Sequence, residues 1–147
     1  MTTIVRMLAV MALMLMVSAA QAQNKVPSER GLEALVKATL LTFNDANVTG
    51  NYEVFHAKLS KPFREQFSVE RLARRFQEFS KKHVDFDIVA ALKPDYDPAP
   101  KVDDEGRLLV KGHFPTEPLR VNFNLAFIPS DGEWKLVGIN VKIDDPK

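Results

Sequence analysis

The side chains in this chain with the means to do chemistry are few and scattered. In HVDFD, His83, Asp85 and Asp87 offer one nitrogen and two carboxylates at alternating positions. Alternate residues of a strand share a face, so this trio has the donor chemistry of a divalent-metal site. The same spacing describes a solvated strand edge, and His83 also suits the end of the preceding helical face. No second histidine stands nearby, and no metal site is assigned. The tract PDYDPAPKVDDEG carries five acidic residues. Asp95 and Asp97 begin the alternation of a calcium loop, but Pro98 and Pro100 break the pattern such a loop requires. His56 and His113 lie far apart in the chain. There is no G-x-S-x-G, no phosphate-cradling glycine loop and no H-E-x-x-H. No catalytic residue and no cofactor are assigned.

Charge narrows the partners. Lys and Arg number 20 against 19 Asp and Glu. Nucleic-acid binding draws its affinity from an excess of basic residues, so no nucleic-acid partner is expected. Arg64, Arg71, Arg74, Arg75, Lys81 and Lys82 make one region locally basic. Glu70 and Glu78 precede Arg74 and Lys82 by the four residues that favour helical ion pairs. Arg71 and Arg75 share a side without such partners, which leaves room for an anionic contact.

Positioning falls to helices first and strands after. Leu32, Leu35, Val36, Leu40 and Phe43 follow one helical face, and Gly50 in NVTGN suits the left-handed residue after a helix end. Short helical segments follow in YEVFHAKL and PFREQF. Ser68 is an expected N-cap for an amphipathic helix carrying Val69, Leu72, Phe76, Phe79 and His83. The period then becomes two: Val84, Phe86, Ile88, Ala90 and Leu92 alternate as a strand, followed by a loop rich in proline and acid. Strands at Leu108–Phe114, LRVNFNLAFI and WKLVGINVKI complete the sheet. The fold class is α+β: N-terminal helices on a curved, mainly antiparallel four-stranded sheet.

The only tryptophan, Trp134, stands in the last hairpin. Ser-Asp-Gly suits a three-residue loop, a type I turn with glycine in the bulge position. That loop pairs Ile128 with Trp134, Ala126 with Leu136 and Asn122 with Asn140. It gathers Val121, Phe123, Leu125 and Phe127 with Val137, Ile139, Val141 and Ile143 on an apolar face under the helices. Trp134, Leu136, Ala126 and Ile128 then cluster on the opposite face as a candidate interface. Phe43, Tyr52, Phe55, Phe76, Phe114, Phe123 and Val141 form a candidate pocket lining, if the helices and sheet leave a cavity.

The N-terminus implies export. Arg6, the apolar run Met7 to Val17 and the Ala20-Gln21-Ala22 site have the parts of a cleavable signal. All five methionines fall within it, and the run is short for a bilayer span. The expected organisation is a signal peptide over 1–22, a lead-in over 23–31 and one domain over 32–147. No membrane span follows cleavage, and the destination is the periplasm or the exterior. The chain has no cysteine, so no disulfide braces it. Asn47-Val48-Thr49 matches a glycosylation sequon, relevant only to a eukaryotic secretory route.

Two stretches carry a family resemblance. LLTFNDANVTGNYEVFHAKLSKPFREQFS and VNFNLAFIPSDGEWKLVGINV resemble the nuclear transport factor 2-like superfamily, a cystatin-like α+β cone. Its members include isomerases, dehydratases, transport adaptors and exported domains. The family's isomerases place a tyrosine and acidic residues inside the cone. Here Tyr52 alone suits that position, and no carboxylate falls on the apolar sheet face. The expected function is therefore non-enzymatic: association with a protein partner or with itself, which the resemblance implies through the sheet. The alternative is a small apolar ligand in the cone interior, with isomerase or dehydratase chemistry less favoured.

Overall fold

The computed structural model describes residues 25–144; the expected signal peptide lies outside them. The first helix among the described residues, α1, runs Glu29–Thr49. Ser28 caps it, its Oγ accepting the Gly31 N–H at 3.2 Å. A hydroxyl there satisfies a first-turn amide that has no helical partner, so the helix begins three residues before the expected Leu32 start. Leu32, Val36, Leu40 and Phe43 are buried along one stripe. Gly50 ends the helix at φ 74°, its N–H bonded to the Ala46 carbonyl at 2.9 Å.

Four short helices wrap the end of α1: α2 Glu53–Lys58, α3 Lys61–Gln66, α4 Val69–Arg75 and α5 Gln77–Lys81. Ser68 caps α4 as expected, accepting the Arg71 N–H at 3.2 Å. The single helix expected from Val69 to His83 is instead divided at Phe76. Glu78 meets Lys81 at 3.4 Å rather than Lys82. Arg71 donates to the Gln66 carbonyl at 2.8 Å and lies over the Phe67 ring at 5.3 Å.

The strand expected over Val84–Leu92 is absent. Asp87–Ala91 forms a 3₁₀ helix, with Phe86 and Val89 buried and Ile88 exposed. Phe86, Val89 and Leu92 recur at the three-residue period of that helix. Asn44 holds the segment from α1: its Nδ2 donates to Asp85 Oδ1 at 2.7 Å, and its Oδ1 accepts the Phe86 N–H at 3.0 Å.

Among the described residues the sheet has five antiparallel strands rather than four. They are β1 Asp95–Tyr96, β2 Lys101–Val102, β3 Leu108–Phe114, β4 Arg120–Ser130 and β5 Glu133–Asp144. β1 and β2 pair with successive parts of β3, inside the tract expected to be a loop. Pro98 and Pro100 lie between them, where their missing amide donors interrupt an edge strand. Leu108, Val110, Phe114, Val121, Phe123, Leu125, Phe127 and Leu136 form the buried sheet face and join the α1 stripe in one core.

The β4–β5 hairpin corrects the expected register. Its loop has two residues, Asp131 at φ 49° and Gly132 at φ 80°, the positive pair of a type I′ turn. Ser130 pairs with Glu133, Pro129 with Trp134 and Phe127 with Leu136; Ala126 then pairs with Gly138. Val137 is the extra residue of a β-bulge. Trp134 and Leu136 therefore stand on the side of Phe127, beneath the helices. Beyond the bulge, Ile139, Val141 and Ile143 pair with Leu125, Phe123 and Val121, two residues away from the expected partners but on the expected apolar face.

Candidate functional site

Trp134 forms part of the wall of an open cleft of about 540 Å³ between α1, α2 and the hairpin tip. α1 contributes Leu35, Ala38, Thr39 and Thr42, at i, i+3, i+4 and i+7. This row flanks the fully buried stripe, so one helix serves the core and the cleft with adjacent sides. Phe55 and Leu59 enter from α2 and its end, and Phe127, Trp134 and Leu136 from the hairpin. Leu59 forms a parallel bridge with Leu136, and the Ser60 N–H donates to the Leu136 carbonyl at 2.9 Å. That bond fastens the hairpin tip to the chain between α2 and α3.

The two wall threonines are less polar than their names suggest. Thr39 Oγ1 donates to the Leu35 carbonyl at 2.8 Å, and Thr42 Oγ1 to the Ala38 carbonyl at 2.7 Å. Hydroxyls turned onto their own helix have no proton left for a ligand. Among the described residues, three ionisable ones border the cleft: Lys58, Glu133 and Lys135. Glu133 and Lys135 pair at 3.0 Å. Lys58 is exposed, and its Nζ lies 3.4 Å from Thr42 Oγ1.

Of the pocket lining expected from sequence, only Phe55 borders this cleft. Phe43 is instead the hub of a packed aromatic cluster. Its ring centroid lies 5.5 Å from Phe55, 4.8 Å from Phe76 and 5.4 Å from Phe79. Tyr52 stacks on Phe76 at 6.4 Å. Phe114 packs on Phe123 at 5.7 Å, and Val141 is half-buried against the same core. Phe123 also borders a shallow polar depression on the sheet's outer face, with Lys111, Asn122 and Asn124.

The four residues expected to form one interface are divided between two faces. Trp134 and Leu136 enter the cleft, whereas Ala126 pairs with Gly138 and Ile128 with Lys135 in the alternate, outward-facing positions of β4. The one-residue change of register at the turn is the cause. Leu35, Thr39, Thr42, Lys58 and Leu59 were not foreseen as site residues. The row of apolar and threonine residues beside α1's core stripe was the signal that could have found the first three.

The remaining chemical candidates have structural work. The Tyr52 hydroxyl donates to Asn47 Oδ1 inside the core, and burial raises its pKa. Ser80 donates to the Asn47 carbonyl at 2.7 Å. Asn47 is only 1% exposed, which keeps its sequon amide out of solvent. Asp85 accepts from Asn44 and from the Asp87 N–H, and with no strand there the expected shared face of His83, Asp85 and Asp87 is lost. Among the described residues, no group of three or more His, Cys, Asp or Glu is placed to hold a metal ion. Asp103, in the acidic tract, accepts the backbone N–H groups of Glu105 and Arg107 and meets Arg107 Nε at 2.8 Å. Those bonds hold its pKa below the ordinary carboxylate value, the Arg107 amide contributing most. Among the described residues, no helix is long and apolar enough to cross a membrane.

Comparison of the chain with known protein families, with curated proteins and with solved structures found no match.

Proposed function

We propose that this protein is a non-enzymatic binding protein that takes a small apolar molecule into the cleft beside Trp134. The observation that carries this reading is the cleft itself: about 540 Å³, within the range of small-molecule sites, with a largely apolar wall. The threonine hydroxyls are engaged by α1 and the Glu133–Lys135 pair is self-neutralising, which supports binding over acid–base chemistry. The resemblance to the nuclear transport factor 2-like cone belongs to the same proposal. It is supported by helices packed on one face of an open antiparallel sheet. Export to the periplasm or the exterior is proposed from the pattern of residues 1–22. Self-association through Trp134 is disfavoured, because Trp134 faces the cleft.

The test uses the neutral fluorescent probe N-phenylnaphthylamine. Saturable binding is expected, with energy transfer from Trp134, the only tryptophan of the chain. Thr39→Phe, which places a ring in the cleft, should abolish the transfer while leaving the circular dichroism intact. Absence of saturable binding, or transfer unchanged in a folded Thr39→Phe protein, would overturn the reading.

A further inference from the structure

We infer that the cleft selects amphiphiles with an acidic headgroup, and that Lys58 is the residue that reads the acid. This inference rests on the cleft being a binding site for apolar molecules, and adds the chemistry of the ligand's polar end. Of the ionisable residues bordering the cleft, Glu133 and Lys135 neutralise each other at 3.0 Å. Lys58 makes no ion pair within 4.0 Å among the described residues and carries the cleft's uncompensated charge. It lies in the last turn of α2, with Thr42 beside it and the apolar wall of Leu59 and Trp134 beyond.

The only hydrogen-bond partner of the Lys58 ammonium among the described residues is Thr42 Oγ1, at 3.4 Å. Thr42 donates its own proton to Ala38, so toward Lys58 its oxygen only accepts. An ammonium has three donors, so two remain for an incoming oxygen anion. Neither wall threonine has a free donor to offer a neutral hydroxyl. A carboxylate or phosphate gains a bond charged on both sides at this end of the cleft, whereas an alcohol of equal length gains one charged on the donor side alone. Lys58 is exposed, so the preference is of surface magnitude: about fivefold in Kd at low salt, or about 1 kcal/mol.

Dodecanoate, dodecyl phosphate and dodecanol, each below its aggregation concentration, are titrated against Trp134 emission. At least one acid should bind about fivefold more tightly than the alcohol, with the preference falling as salt is raised. Comparing the two acids identifies carboxylate or phosphate as the better head. Lys58→Gln should bring the acids down to the affinity of the alcohol, and Lys58→Arg should keep most of the preference. Equal binding of acids and alcohol overturns the headgroup inference while leaving the cleft as an apolar site. A preference that survives Lys58→Gln overturns the assignment to Lys58. If none of the three binds, the cleft reading itself falls, and the inference with it.

Discussion

Gly112→Ala should loosen one edge of the sheet. A Cβ built at Gly112 meets the Asp95 carbonyl oxygen at 2.1 Å, with the Asp95 carbon and Tyr96 Cα both at 3.0 Å. All three are backbone atoms of β1, so no side chain can swing aside, and β1 must move off β3. Tyr96 pairs with Gly112 in register, and its ring meets Phe123 edge-on at 6.4 Å. Displacement costs that contact, the pairing of β1 and the Asp97 N–H bond to the Lys111 carbonyl. Overpacking and lost ladder bonds together amount to about 2–3 kcal/mol. The urea midpoint should fall with an unchanged slope. Tyrosine supplies a second readout. Burial first, then Glu33 and Glu29, pushes the Tyr96 phenol up from 10.0 to about 12. A raised folded-state pKa contributes stability that is complete below the unfolded value and lost as pH rises through the folded value. The wild type should therefore lose stability between pH 10 and about 12. In Gly112→Ala, the phenolate absorbance of Tyr96 should appear closer to 10. An unchanged midpoint and an unchanged alkaline titration would refute the reasoning.

Phe43→Ala removes the hub of the aromatic cluster, whose ring is fully buried; a loss of about 3–5 kcal/mol is expected by urea denaturation. Asp103 titrates in the opposite sense to Tyr96. Its pKa lies below the ordinary 3.8, so its contribution is present above that value and lost as pH falls through the lower folded value. The wild type should therefore lose more stability than Asp103→Asn on acidification below about pH 4, measured by chemical denaturation at each pH.

The parts legible in the sequence were those fixed by local physics. The stripe Leu32, Val36, Leu40, Phe43 has only one helical solution, and Gly50 and Ser68 act through their own backbone or hydroxyl. The hairpin was less determinate because Ser-Asp-Gly serves two turn types. The observed register differs from the expected one by one residue at Trp134 and by two beyond Val137. An offset of two restores parity, so Ile139, Val141 and Ile143 face the core under either pairing. Their polarity could not reveal the error. Only Trp134 to Val137 distinguish the registers, and Trp134, Lys135 and Leu136 line the cleft. The segment after Val84 failed for another reason: Asn44, about forty residues away, captures Asp85 and Phe86, and a short alternating run cannot register such a distant partner.

The bulge at Val137 divides β5 into two panels with separate anchorage. The lower panel, Gly138 to Asp144, is fastened to β4 and shares its packing with the core. The upper panel, Glu133 to Leu136, is also fastened to Leu59 and Ser60. Changes in the tip can thus retune the cleft wall while the lower ladder keeps its alignment. One unpaired residue lets the cleft wall vary separately from the part of the strand that maintains the fold.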